Sequence, residues 1–170
     1  MNDSVTLSAE QVVLEAPADR KKIGLITLAT DLTTERDFAR IIPMGHAGVY
    51  GTRVAFVNPT TPDNLRKMAP RITAAADLIL PGEVLDAVCY SCTAASVVIG
   101  DAEIAASIHA ARPGVPVVTP SGAALSAFSA LNVQHISVLT PYLVETSLPM
   151  ADYFRLHGLK IEKFRCLGLD

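Results

Sequence analysis

The sequence predicts an α/β fold, a three-layer sandwich built on a mostly parallel sheet, and three observations predict it. Short apolar runs of strand type alternate with helical patterns from Lys22 onward, the order that builds parallel sheets with crossover helices. Hydrophobic residues make up 50% of the chain and charged residues only 18%, an excess that suits strands covered on both faces. Polar groups gather where the apolar runs end, on what becomes the carboxyl edge of such a sheet.

Residues 22–29 (KIGLITLA) read as the first strand. Residues 33–42 follow as a helix, with Thr33 or Thr34 as its N-cap and acids in the first turn. Residues 53–57 (RVAFV) form a second strand that stops at Asn58-Pro59. Thr61-Pro62 then gives an N-cap followed by proline at the first helical position. The helix opened there carries Leu65, Met68, Ile72, Ala75, Ala76 and Ile79 at three- and four-residue spacing, an ordinary packing stripe. Residues 85–90 are the third strand, and a helix runs on to about residue 111. Residues 115–119 are the fourth strand, and Ser121 or Gly122 starts the next helix. Residues 135–140 (HISVLT) are the fifth strand, Pro141-Tyr142 opens a helix to about residue 157, and Gly158 sits where a left-handed cap belongs. Residues 160–167 are a sixth strand. Residues 1–20 carry no clear period and read as a flexible arm.

The segment Val88-Cys89-Tyr90-Ser91-Cys92-Thr93-Ala94-Ala95-Ser96 is the most informative. A buried strand ends there in a thiol, a hydroxyl and small residues that begin a helix. Cys92 and Thr93 therefore lie where open α/β sheets bind ligands. The N–H groups of Thr93, Ala94 and Ala95 point outward at a helix start, which favours anions and is expected to lower the pKa of Cys92. Cys92 is expected to be more exposed and more reactive than Cys89 or Cys166. Cys89 falls inside the apolar strand and reads as core. The Cys89–Cys92 pair also spells C-x-x-C, but a redox dithiol wants its first cysteine exposed, and a structural zinc wants four ligands where only Cys166 and four scattered histidines remain. No metal site is expected.

Composition excludes further classes. Net charge is −3, from 14 basic and 17 acidic residues, without the basic cluster that nucleic acid requires. No apolar run approaches the ~20 residues of a membrane span, and the first residues lack a secretory pattern. Three cysteines, an odd number, argue for a reducing compartment, so a cytoplasmic location is expected. Neither a dinucleotide glycine motif nor a P-loop lysine is present, so no cofactor is expected.

Three segments, in order, carry a resemblance. Ala29-Thr30-Asp31-Leu32-Thr33-Thr34-Glu35 resembles the P-S-S-N-T-T-x-E loop of maleate isomerases and arylmalonate decarboxylases. Cys92-Thr93-Ala94-Ala95-Ser96 is similar to their first-half catalytic segment, and Leu139-Thr140-Pro141-Tyr142 to the one that supplies a substrate-binding tyrosine. These are members of the Asp/Glu racemase superfamily, and residues 29–37 and 57–62 look most like its ectoine-utilisation protein A branch. The resemblance implies a flavodoxin-like half of a racemase fold over residues 21–157, with residues 158–170 beginning an incomplete second half; Cys166 lies too early to be a second catalytic thiol. It implies cofactor-independent isomerase or racemase chemistry of ectoine breakdown, with Cys92 catalytic and Asp31, Thr93, Ala94 and Tyr142 binding a small carboxylated amino compound. Asp31 replaces the family's asparagine; a carboxylate only accepts hydrogen bonds, which points to a substrate with a donor or cationic group. Tyr142 as a plain core aromatic stays open beside this role. So does a non-catalytic carboxylate-binding module lacking the second half. Exposed apolar strands near the end of the chain predict self-association.

Overall fold

A computed structural model of the chain describes residues 5, 8–10, 12–13, 21–43 and 45–169. The arm expected over residues 1–20 lies for the most part outside the described residues. The fold is mixed α/β with parallel strands throughout, as the alternation of patterns predicts. β1 (Lys21–Leu28) is central, paired on one side with β2 (Ala47–Val54) and on the other with β3 (Ala87–Tyr90), which carries β4 (Val117–Val118) on its far edge. That position explains the near-continuous apolar content of β1: alternate residues Leu25 and Ile26 are both fully covered, one on each face of the sheet. Gly24 sits at a close approach, because a Cβ there would stand 3.1 Å from both Ile79 Cδ1 and Val88 Cγ2 and one of them would have to shift.

Several expected elements are divided. Residues 61–79 form α2 (Pro62–Arg66) and α3 (Ala69–Asp77) instead of one helix. Pro70 lacks an N–H and disfavours helical backbone in the residue before it, so it fits only a new first turn. The Thr61 hydroxyl caps α2 by accepting from Asn64 N–H at 3.3 Å. The helix expected over 93–111 is α4 (Thr93–Ile99) and α5 (Asp101–Ala111), bent by 96° about Gly100, whose φ of 99° lies in the left-handed region. Among the described residues no single helix is long and apolar enough to cross a membrane. The second strand starts at Ala47, not residue 53, because Gly48 and Gly51 mask its apolar pattern while the ladder to β1 enforces it.

The one continuous sheet is also corrected. β5 (His135–Thr140) and β6 (Lys160–Cys166) pair only with each other among the described residues. The expected boundary at residue 157 thus falls inside a β5–α7–β6 unit, where α7 (Val144–Leu156) is the crossover helix. β4 is two residues long, too short a ladder to recruit β5. The units meet through α6 (Pro120–Ala130), α7 and a shared carboxylate. Asp101 accepts from the Thr119 and Ser121 hydroxyls with one oxygen and from Tyr153 OH, at 2.7 Å, with the other.

The larger core joins Ile26, Val54, Val88 and Tyr90 of the sheet to Leu65, Met68, Ile72, Ile104 and Ile108 of the helices. At its far end Arg112 donates to the carbonyls of Ala76 and Asp77, at 3.1 and 3.0 Å, and to that of Ile79, gathering the end of α3. A smaller cluster joins Ile136, Met150, Phe154 and Leu159.

Candidate active site

The strand-to-helix corner after β3 holds Cys92 in extended geometry (φ −146°, ψ 105°) at the N-cap of α4. Its carbonyl accepts from Ser96 N–H at 2.9 Å and from the Ser96 hydroxyl at 2.7 Å. These bonds fix the corner from beneath; the N–H groups of Ala95 and Ala94 favour the ionised sulfur, although the Cys92 side chain makes no capping hydrogen bond. The β1 loop meets it: Thr34 and Ser91 hydroxyls lie 3.3 Å apart. From the β5 side comes Tyr142, whose hydroxyl is favoured in its ionised form by the Thr93 side chain and the Ala94 N–H. Burial first, and the charge on Cys92 second, push the Tyr142 phenol upward.

The structure therefore brings Asp31, Cys92, Thr93, Ala94 and Tyr142 to one edge, but two of them behave differently from expectation. Burial pushes the Cys92 thiol up to about 11, with the charge of Asp31 acting the same way, and the two N–H groups do not offset this. The expected depression is overturned, since desolvation outweighs the helix start. Exposure does not single Cys92 out either, because all three cysteines are partly buried and free. Cys89 lies in β3, where burial raises its thiol too.

Asp31 is first of all a cap. Its Oδ1 accepts from Thr33 and Thr34 N–H at 2.8 and 2.9 Å, and Oδ2 from the Thr34 hydroxyl at 2.6 Å. Thr33 occupies the N-cap position of α1 (Thr34–Ile41) but makes no capping bond with its side chain, so neither threonine is the cap by chemistry. Burial raises the Asp31 carboxyl, yet the Thr34 hydroxyl, the two N–H groups and Arg53 together hold it below its ordinary value. About one lone-pair site is left for a ligand.

Sequence reading missed Arg53. It donates to the carbonyls of Leu28 and Asp31, at 3.2 and 2.8 Å, and to Glu35 at 2.7 Å, clamping the loop that carries Asp31. An arginine at the end of a strand, opposite an acidic first turn, was the available signal. A cleft of about 470 Å³ adjoins the corner, lined by Thr93 and Tyr142 and along one side by residues 136–141 of β5 and its loop. Cys92 itself does not line it.

The fold has solved counterparts. The chain shares its fold with maleate isomerases. The Pseudomonas putida maleate isomerase, solved as a cysteine-to-alanine variant with maleate, superposes with a TM-score of 0.75 at 19% identity over 88% of this chain. A Nocardia farcinica maleate cis-trans isomerase variant, solved with a covalently bound succinylcysteine intermediate, gives 0.74 at 19% identity and 88% coverage. A liganded arylmalonate decarboxylase double mutant gives 0.66 at 22% identity, again over 88%. The chain spans 64% of the length of both maleate isomerase structures and 63% of the decarboxylase. No family model and no curated protein matches it.

Proposed function

We propose that this chain is a cofactor-independent isomerase or racemase-type enzyme acting on a small carboxylated amino compound of ectoine or hydroxyectoine breakdown through the Cys92 thiolate. The observation that carries the reading is the Cys92 corner, a thiol at the N-cap of α4 whose ionised form the Ala94 and Ala95 N–H groups favour, with Tyr142 packed against the same cluster. In this reading Thr93, Ala94 and Tyr142 hold the carboxylate, and the remaining lone pair of Asp31 accepts from the substrate's ammonium or ring N–H. The thiolate removes the proton next to the carboxylate, and the electron pair passes into an enolate held by those donors. A second acid on the opposite face returns a proton; the proposal draws that group from beyond this unit, in line with the 64% coverage of the isomerase structures. On an unsaturated acid the same sulfur forms a C–S bond, the remaining single bond rotates, and return of the pair expels the thiolate. Either course conserves electrons, so the scheme calls for no cofactor. The ectoine assignment rests on the likeness of residues 29–37 and 57–62 to that branch. A reducing cytoplasm and self-association through exposed apolar residues such as Leu139 and Leu167 complete the proposal.

One observation favours a second reading. A thiol near 11 is protonated in all but about one molecule in ten thousand at neutral pH, which suits a module that binds a carboxylate without transforming it. Turnover and calorimetric binding of ectoine-derived amino acids and maleate, with and without Cys92→Ser, separate the two. Turnover that rises with pH and falls about 10²–10⁴-fold in the variant supports the enzyme. Binding that persists in both proteins with no turnover supports the module.

A further inference from the structure

Tyr90 is fully buried, and its hydroxyl has no hydrogen-bond partner among the described residues. Leaving such a group unpaired costs stability, so phenylalanine would be the better residue for packing alone. Position indicates what the hydroxyl serves. The ladder of β3 continues past Tyr90, with Ser91 N–H donating to Ile26 O at 2.8 Å, and Cys92 is still extended. Alternation along an extended chain therefore carries Tyr90 and Cys92 to the same side, and both pack in the same core cluster with Ala94 and Ala95. The two groups are close enough that charge on the Cys92 sulfur disfavours a second charge on Tyr90. The other ionisable groups acting at this spot are Asp31, from the loop after β1, and Tyr142, from the loop after β5.

We propose that Tyr90 is a positioning residue for Cys92, its unpaired O–H being the donor that the sulfur takes up, directly or through one water, when it becomes a thiolate. A neutral phenol suits this role. Burial keeps it protonated, so it always has a hydrogen to donate, and an O–H bonded to nothing else turns without breaking a native contact. The proposal rests on Cys92 acting as a thiolate, as argued above, and it supplies a stabilisation of the anion that the resting thiol does not display.

The test is iodoacetamide labelling of Cys92 across pH 7–11, followed by peptide mapping, in the wild type, Tyr90→Phe and Thr27→Val. Thr27 is a control on the opposite face of the sheet, since it follows Ile26, which is registered with Tyr90. Its hydroxyl is likewise buried and unpaired among the described residues. Tyr90→Phe should move the labelling midpoint up by about one pH unit, slow labelling at fixed pH about tenfold, and leave the melting temperature equal or higher. Thr27→Val should leave labelling unchanged. A Cys92 that labels readily yet ignores Tyr90→Phe overturns the proposal alone, as does a Tyr90→Phe chain that melts several degrees lower. A wild type whose Cys92 labels no faster than Cys89 at any pH overturns the thiolate reading itself.

Discussion

In the β1–α1–β2 unit the strand is the buried part: Leu25 and Ile26 have no exposed surface, whereas α1 buries none of its eight residues. In the β5–α7–β6 unit the helix carries more of the burial, and β5 covers only Ile136 and Thr140. There α7 buries Thr146, Ser147, Met150, Ala151 and Phe154, while Leu139 of β5 is 68% exposed. Both are parallel strand–helix–strand units, so the difference does not come from local connectivity. It comes from the neighbours: β1 has a strand on each side and α3 packed over it, and β5 has a single strand partner among the described residues. A strand's burial is thus assigned by the whole sheet, and a helix is covered only where a second layer reaches it.

That contrast makes ordered claims about stability. Leu25→Ala should be the most damaging change, costing about 2–5 kcal/mol through the cavity it leaves, read as a fall in the urea midpoint. If the chain tolerates it, β1 is not the centre of the core. Tyr153→Phe should cost about 1–2 kcal/mol, by removing a donor to the Asp101 carboxylate. Its distinctive sign is faster amide exchange in β5 and β6 with β1 unchanged, because this bond ties one unit to the other.

Asp31→Ala should cost about 1 kcal/mol, as for other caps, and the cost should depend on pH. The folded carboxyl lies below its ordinary value, so its stabilisation is complete above the unfolded carboxylate pKa of ~3.9 and disappears as pH falls through the lower folded value. Melting of wild type and variant should differ at pH 7 and converge near pH 2. The same variant should label faster at Cys92, having lost a neighbouring negative charge. Leu139→Ser should do least, within about 0.5 kcal/mol at concentrations where the chain is a monomer, while lowering the mass that sedimentation reads at high concentration, as the proposed self-association requires.

Much of this was legible from the residues. Apolar runs located the strands apart from β2, Thr61-Pro62 located the start of α2, and Gly158, at φ 80°, is the left-handed residue after α7. These are local facts, decided by propensity and by missing N–H or Cβ groups. The corner at Cys92 was legible for the same reason, since a polar tripeptide ending an apolar run has few places to go. What could not be read was tertiary. The helix start beside Cys92 is visible in sequence, but the desolvation that exceeds it depends on which side chains close over the sulfur. Asp31 reads as a ligand group until Thr33, Thr34 and Arg53 are seen to claim it. The split of the sheet had a local signal that went unread, since Pro116 and Pro120 bracket the run and leave only Val117–Val118 to form β4.

Arg112 carries a consequence for how the molecule fails. Its acceptors are backbone carbonyls, which do not titrate. Acid can loosen α1 by neutralising Asp31, and alkali can ionise the thiols and phenols beside Cys92, but the knot at the end of α3 has no protonation step that unties it. Acid should therefore loosen both edges, releasing Asp31 at one and the Lys21–Asp86 and Lys22–Glu83 pairs at the other, while the carbonyl contacts of Arg112 are the last to let go.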